Sequence, residues 1–173
     1  MIKTKSLIQL MKKNNINFFS GVPDSVLKEL SLIIDNMKKT KHIIASNEGS
    51  AVSIGIGHYL ATKQVPCIYM QNSGLSNAMN PLISIAHKKV YSIPLVLVIG
   101  WRGSPKTLDE PQHLVKGKIT RQLLNLLKIK YIILRSNTDL KKIDKQIKIA
   151  KKKSSIIACL IEQGTLEKNK NKR

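Results

Sequence analysis

Residues 65–77, with the sequence VPCIYMQNSGLSN, contain the pattern that decides the fold. The first part, residues 65–70, is a short apolar run with β-branched side chains, which is typical of a buried strand. In the second part, residues 71–77, six of the seven residues are polar or glycine. The same change from an apolar run to a polar loop recurs along the chain. This recurrence predicts a sheet whose loops gather at the ends of its strands.

Five further apolar runs resemble the first one, and they cover residues 16–19, 42–45, 95–99, 131–134 and 156–161. Consecutive runs are separated by more than about a dozen residues, enough for a helix that crosses over a sheet. Apolar residues recur at helical spacing in these intervals, for example in residues 27–34 and 140–150. Polar residues can cap three of the helices: Asp24 or Ser25, Ser46 or Asn47, and Asn137 or Thr138. We therefore predict a single three-layer α/β domain, with a six-stranded parallel sheet flanked by helices.

The charge of the chain is strongly basic, since 30 Lys and Arg residues face 10 Asp and Glu residues and the formal net charge is +20. Residues 116–173 hold 17 of the basic residues and 4 of the acidic ones. Lys outnumbers Arg by 26 to 4, whereas specific nucleic-acid readers rely on Arg, which pairs bidentately with phosphate and guanine. We interpret the excess mainly as compositional bias. The alternative is a nucleic-acid binder that uses Lys141, Lys142, Lys145 and Lys148 beside residues 151–153.

The cysteines and the apolar stretches indicate where the protein works. Cys67 and Cys159 lie far apart in apolar runs, so they have no metal-binding spacing and are expected to be reduced, buried thiols. The apolar stretches, such as residues 95–99, are all too short to span a bilayer. We therefore expect a cytoplasmic protein with no metal site of its own. We expect its domain to cover residues 1–166 and a basic, disordered tail to cover residues 167–173.

The loops after the first four predicted strands hold the candidate functional residues, because parallel strands end at one edge of a sheet. These loops cover residues 21–25, 47–51, 71–77 and 100–113. In the second loop, Glu48 lies at a helix start among small residues. It could share a proton with a ligand nitrogen or simply complement the helix dipole. In the fourth loop, His113 could act in acid/base chemistry near neutral pH or be a solvated loop histidine.

Four motifs on these loops resemble, in order and spacing, those of the pyrimidine-binding (PYR) domain of thiamine diphosphate-dependent 2-oxo acid decarboxylases. The motifs are FFSGVPDS at residues 18–25, NEGSA at 47–51, QNSGLSN at 71–77 with NPL at 80–82, and DEPQH at 109–113. They are most similar to those of phosphonopyruvate decarboxylase and the alpha subunit of sulfopyruvate decarboxylase. The resemblance covers roughly residues 5–165. Four motifs in register are more specific than any one of them alone.

The resemblance implies a role for each motif. Glu48 matches the catalytic glutamate that hydrogen-bonds the pyrimidine ring of thiamine diphosphate, and that cofactor carries out the carbon chemistry. Further cofactor contacts are implied for Asn72, Ser73, Gly74 and Asn77. Substrate contacts are implied for Asp24, Ser25 and His113, and His113 is also the second catalytic candidate. Arg102 and Lys106 are candidates for binding an anionic phosphonate or sulfonate group, which Arg and Lys usually hold.

One part that such enzymes need is missing from the sequence. The family holds the diphosphate and Mg2+ on a second domain with a Gly-Asp-Gly motif, and this chain contains no Gly-Asp-Gly. We therefore expect a hetero-oligomer in which a partner subunit holds Mg2+ and the diphosphate of thiamine diphosphate. The expected activity converts 3-phosphono- or 3-sulfopyruvate to the corresponding aldehyde and CO2. The alternative is a PYR-like scaffold without catalysis, and neither nucleic acid nor a membrane is an expected partner.

Overall fold

The computed structural model describes residues 1–105 and 107–168 of the chain. The strands are β1 (Phe19–Gly21), β2 (His42–Ile44), β3 (Cys67–Gln71), β4 (Val96–Trp101), β5 (Lys130–Leu134) and β6 (Ile157–Glu162). The helices are α1 (Thr4–Lys13), α2 (Lys28–Ile34), α3 (Glu48–Thr62), α4 (Leu75–Pro81), α5 (Pro111–Leu126) and α6 (Asn137–Lys152). A short 3-10 turn, Asn72–Gly74, leads into α4, and a π-helical segment, Leu82–Ala86, follows it. The predicted alternation of strands and helices is confirmed.

All six strands form one parallel sheet in the order β2-β1-β3-β4-β6-β5. The register places Gly21 of β1 beside Tyr69 of β3, and Gln71 of β3 beside Gly100 of β4. The chain leaves β1 toward β2 and leaves β3 toward β4, which are opposite directions along the sheet. Helices α2 and α4 therefore lie on opposite faces, and a crevice remains at the carboxyl ends of β1 and β3.

Helices cover both faces of the sheet, so the domain has the three predicted layers. Buried residues of α1, α2 and α6 pack on one face, and buried residues of α3, α4 and α5 pack on the other. The central strands β3 and β4 are buried almost throughout, as expected of parallel strands that are covered on both sides. Cys67 and Cys159 are free and fully buried in this core. Burial raises the pKa of the Cys159 thiol to about 12, so this thiol is neutral at physiological pH.

The first strand begins three residues later than the predicted run of residues 16–19. The end of α1 is the reason. Asn15 adopts a left-handed conformation with φ of 58°, and the backbone N–H of Ile16 donates to the carbonyl oxygen of Met11 at 2.9 Å. Ile16 is thus buried as part of the helix end. Its apolar side chain extends the apolar run, although the residue does not belong to β1.

The three predicted helix caps differ in outcome. For α2 the prediction of Asp24 or Ser25 is wrong, because the helix begins at Lys28 and its N-cap is Leu27, without a side-chain cap. Asn47 caps α3 as predicted, because its side-chain oxygen accepts the N–H of Ser50 at 2.8 Å. For α6 the cap is Ser136, one residue before the predicted position. The backbone N–H of Ser136 donates to the Asp139 carboxylate at 3.1 Å, which forms a capping box and fixes the start of the helix.

The two ends of the described chain pair with each other. The N–H of Ile2 donates to the carbonyl of Thr165 at 2.8 Å, and the N–H of Glu167 donates to the carbonyl of Ile2 at 2.9 Å. These contacts reach the first residue of the predicted tail, whose residues 169–173 lie outside the described part, as does Lys106. Within residues 1–105 and 107–168, no helix combines the length and the apolar character needed to cross a membrane.

Candidate active site

Glu48 is the first residue of α3 and lies beside the start of α4. Its Oε2 atom accepts a hydrogen bond from the side-chain amide of Asn77 at 3.0 Å. Its carboxyl group also lies directly over Gly74, since a Cβ atom at Gly74 would be 2.1 Å from the Cδ atom of Glu48. The backbone of Gly74 has φ of −79°, which any residue can adopt. Contact with Glu48 is therefore the reason that glycine is needed at this position.

A second glycine brings the first turn of α3 onto α4. A Cβ atom at Gly49 would be 2.9 Å from the carbonyl oxygen of Asn77. The fold thus brings together three residues that the sequence assigned to the cofactor: Glu48, Gly74 and Asn77. Because the carboxylate is partly buried at a helix N-terminus, it is held in place and can accept a hydrogen bond from an N–H group of a ligand ring.

Asn72 is buried, and its side-chain amide is engaged within the protein. The amide donates to the carbonyl oxygen of Arg102 at 3.1 Å and to the Thr120 hydroxyl at 2.8 Å. Its oxygen accepts the backbone N–H of Arg102 at 3.1 Å. Asn72 therefore ties the end of β3 to the end of β4 and to α5. With both amide hydrogens used in this way, its side chain holds the loop in shape rather than offering a donor to a ligand.

The neighbouring Ser73 is less buried and remains a predicted cofactor contact. Its hydroxyl oxygen accepts a hydrogen bond from the Gln71 amide at 2.6 Å. Its carbonyl oxygen accepts the hydroxyl of Ser76 at 3.1 Å. These local bonds fix the 3-10 turn, and so they fix the place of Gly74 under Glu48.

Arg102 and Asp109 form an ion pair that closes the loop between β4 and α5. The guanidinium group donates to both carboxylate oxygens of Asp109. The backbone N–H groups of Gly103 and Glu110 also donate to Asp109, each at 2.9 Å. The hydrogen bond from Arg102 is the main reason that the pKa of Asp109 lies well below its ordinary value. Arg102, predicted to bind an anionic substrate group, thus has its charge balanced within the chain.

His113 lies in the first turn of α5, where the loop from β4 returns to the sheet edge. Gly103 has φ of +64° and packs against the backbone of His113, and a Cβ atom there would be 1.8 Å from the carbonyl oxygen of His113. Pro111 precedes His113 at the start of the helix, a position that suits proline. The His113 side chain is half-buried. It therefore lies at the same edge as Glu48 and Asn72 and remains a predicted substrate contact.

Asp24 and Ser25 lie in the turn between β1 and α2, but their environments differ. Asp24 is 8% exposed, and one of its carboxylate oxygens accepts the backbone N–H of Leu27 at 3.1 Å. A Cβ atom at Gly100, near the end of β4, would be 2.1 Å from this oxygen. Ser25 is exposed. Of these two residues Ser25 is therefore the accessible one, and both remain predicted substrate contacts.

Two residues that complete the site were not assigned from the sequence. Thr120 accepts the amide of Asn72 and donates its own hydroxyl to the carbonyl of Lys116 at 2.7 Å. Gly100 leaves the space into which Asp24 fits. In the structure Gly100 lies inside β4, where a glycine is a known signal of close approach by another group, but the predicted strand of residues 95–99 ends before it. Thr120 carries no such signal.

A sequence model of the family described as "Thiamine pyrophosphate enzyme, N-terminal TPP binding domain" matches residues 3–124. This range holds the residues that form the site, from Asp24 to Thr120. The chain belongs to this family. Thiamine pyrophosphate is another name for thiamine diphosphate, so the predicted resemblance to a PYR domain is confirmed. The glutamate, the glycine and the amide at the start of α3 and α4 thus lie in a thiamine diphosphate-binding domain.

Curated relatives carry related names. Phosphonopyruvate decarboxylase from Streptomyces viridochromogenes is 34% identical over 139 residues, which are 80% of this chain and 34% of the relative. Sulfopyruvate decarboxylase subunit alpha from Methanocaldococcus jannaschii is 35% identical over 124 residues, which are 72% of this chain and 71% of the relative. The chain therefore spans about a third of the length of the phosphonopyruvate decarboxylases that it matches.

A solved structure shows the same fold. Benzoylformate decarboxylase from Polynucleobacter necessarius matches with a TM-score of 0.72 at 18% sequence identity. The match covers 100% of this chain and 32% of the other protein. The six-stranded parallel sheet with helices on both faces is therefore the fold of one part of that larger protein.

Proposed function

We propose that this chain supplies the PYR half of the active site of a thiamine diphosphate-dependent decarboxylase. The substrate is 3-phosphono- or 3-sulfopyruvate, and the products are the corresponding aldehyde and CO2. The enzyme is active only with a partner that carries the diphosphate-binding domain. The observation that carries the proposal is the Glu48 carboxylate, which Asn77 and Gly74 hold at the carboxyl edge of the sheet. The names of the relatives support the substrate class.

The residues of this edge fit the pyrimidine end of the cofactor. Glu48 would hold a ring nitrogen through a shared proton, and Asn77 would keep the carboxylate in that orientation. Ser73 and Gly74 would lie beside the ring. When bound, thiamine diphosphate supplies an electron sink for the pair of electrons that CO2 leaves behind. The part of this chain is to bind the ring, orient it and hold a proton at its nitrogen.

The diphosphate end of the cofactor does not find matching residues here. Among the described residues, no group of three or more His, Cys, Asp or Glu side chains could hold a metal ion. Mg2+ binds through oxygen ligands and usually shares them with phosphate groups. Together with the missing Gly-Asp-Gly motif, this supports a partner that binds Mg2+ and the diphosphate.

The surface beside Glu48 also supports a partner. From Gly49 to Ala86 the one charged residue is Lys63, although 23% of the whole chain is charged. The exposed residues on this side are small or uncharged: Ser53, Gly57, Leu60 and Ala61 on α3, and Ser76, Asn80, Ile83 and Ser84 on or after α4. Interface cores are depleted of charged residues in the same way. Because this surface begins at Glu48, a protein bound to it would also reach the cofactor.

The alternatives receive less support from the structure. In α6, Lys142 pairs with Asp139 at 2.9 Å and Lys148 with Asp144 at 2.7 Å. The predicted lysine stripe is thus partly neutralised, which weakens the nucleic-acid hypothesis. A scaffold without catalysis would have no need for glycine under the Glu48 carboxylate. The cytoplasmic location stays a prediction, which the buried free thiols support.

The test combines this chain with a candidate partner that contains Gly-Asp-Gly, thiamine diphosphate and Mg2+, and follows CO2 release from both substrates. We expect activity from the pair but not from either chain alone, and loss of activity when EDTA removes Mg2+. Glu48→Gln should lower the rate by about 100-fold or more, whereas the control Glu167→Gln, which lies beyond β6, should not. Full activity of Glu48→Gln would overturn the assigned mechanism, and activity of the chain alone would overturn the partner requirement.

A further inference from the structure

Asp24 is a buried acid that is only half satisfied by hydrogen bonds. Its Oδ2 atom accepts the backbone N–H of Leu27 at 3.1 Å. Its Oδ1 atom is buried and has no hydrogen-bond partner among the described residues. Burial is the main influence on this group and raises its pKa above the ordinary value. The backbone N–H groups of the turn and the charge of Arg102 act in the opposite direction but do not outweigh burial.

The position of Asp24 links the two sides of the crevice. Its carboxyl group lies against Gly100 of β4, although Asp24 follows β1, and β3 lies between these two strands. The turn therefore reaches across the end of β3, on the face covered by α2. The exposed Ser25 comes next in the chain, so the fit of Asp24 against Gly100 decides where Ser25 lies.

The hydrogen bond to Leu27 alone does not explain this residue. Serine would accept the Leu27 N–H as well, and it would not bury a second polar atom without a partner, which costs stability. Residues that break a local rule in this way are expected mainly at functional sites.

We propose that Asp24 is a positioning residue that works in its neutral form: it holds the turn after β1 against β4 and thereby fixes the place of Ser25. This inference rests on the proposed function, since Ser25 is the expected substrate contact. The charged group that acts on Asp24 from another element is the Arg102 guanidinium, and Asp109 already engages it. An ionised Asp24 would therefore lack a free counter-ion and would draw the turn away from Gly100 toward water.

The protonation state can be tested on the chain without any activity. Burial raises the pKa of Asp24 in the folded state above its ordinary value of 3.8. The stability that the protonated carboxyl group contributes is therefore complete below pH 3.8 and is lost as pH rises through the folded-state pKa. We expect wild type and Asp24→Asn to respond differently to pH in urea unfolding. The wild type should lose stability relative to the variant as pH rises above the ordinary value of 3.8. A difference that does not change with pH above 3.8 would overturn the neutral form.

The positioning role is tested on the complete enzyme by a double-mutant cycle. We expect Ser25→Ala and Asp24→Ala each to raise KM by about tenfold. Since Asp24 acts through Ser25, the double variant should have the KM of Ser25→Ala alone. Asp24→Asn, which keeps the acceptor for Leu27 without a charge, should restore KM and should lose less activity than wild type as pH rises.

Each other outcome contradicts the inference. Multiplicative effects in the double variant would show that Asp24 acts independently of Ser25. A loss of about 100-fold in Asp24→Asn would show that the ionisable group itself is required. If the wild-type pair has no decarboxylase activity, the proposed function fails on its own, and the pH dependence of unfolding still decides the state of Asp24.

Discussion

Replacing Gly74 by alanine should inactivate the site while leaving the fold intact. The new Cβ atom would be 2.1 Å from the Cδ atom of Glu48, whereas ordinary contacts begin at 3.4 Å. The carboxyl group must therefore move by about 1.3 Å and would lose its hydrogen bond to Asn77. A misplacement of about 1 Å can cost about 100-fold in rate, which corresponds to about 2.7 kcal/mol of transition-state stabilisation. The effect on stability should be small, because alanine suits the backbone at Gly74 and the clash is with a flexible side chain.

The assay is the steady-state rate of the complete enzyme, measured together with the urea unfolding of the isolated chain. We expect kcat to fall by about 100-fold and the free energy of unfolding to change by less than about 1 kcal/mol. Gly57→Ala is the matched control, since a Cβ atom at this glycine of α3 has no neighbour within 4 Å. Should Gly74→Ala keep its activity within about threefold of wild type, the position of the Glu48 carboxylate would not limit catalysis.

Two further predictions concern the hydrogen bonds of Asn72 and the uncharged surface of α3 beside Glu48, which we propose as the docking surface for the partner. Asn72→Ala removes three hydrogen bonds that join β3, β4 and α5. The free energy of unfolding, measured in urea, should therefore fall by about 2–3 kcal/mol. A fall of less than about 1 kcal/mol would mean that other contacts hold these elements together. Gly57→Lys should fold normally, because the new side chain has open space. The lysine places a charge on the uncharged surface of α3. Calorimetry should therefore show that the affinity for the partner falls by more than about tenfold. Gly57→Ala should bind normally, and equal binding of both variants would exclude α3 as the docking surface.

The fold could be predicted from the sequence where burial is complete. The central strands β3 and β4 are buried on both sides, so their apolar runs carry an unambiguous signal. The apolar run of residues 16–19 begins three residues before β1, because Ile16 is buried in the end of α1 and not in the sheet. Apolar character reports burial, and it does not tell which element provides the burial.

The types of residue that form the site could be predicted from the sequence, whereas the hydrogen bonds and ion pairs between them could not. Glycines and small polar residues at strand ends indicated the edge, and the contact between Glu48 and Gly74 agrees with that indication. The ion pair of Arg102 with Asp109 was not predicted, because it depends on the path of an irregular loop. The bond from Asn72 to Thr120 joins residues 48 positions apart, and such a pair leaves no periodic pattern in the sequence.

The distribution of charge gives a physical reason for a partner. A diphosphate needs cations, and this chain has many, but 17 of its 30 basic residues lie in residues 116–173. On the surface next to Glu48 the one charged residue between Gly49 and Ala86 is Lys63, at the opposite end of α3. A helix of this length places the two residues about 22 Å apart, which is beyond the Debye length of about 8 Å in physiological salt. The segment that adjoins Glu48 therefore supplies no nearby cation for the diphosphate of a cofactor whose pyrimidine ring Glu48 would hold, and we infer that the balancing cations come with the partner.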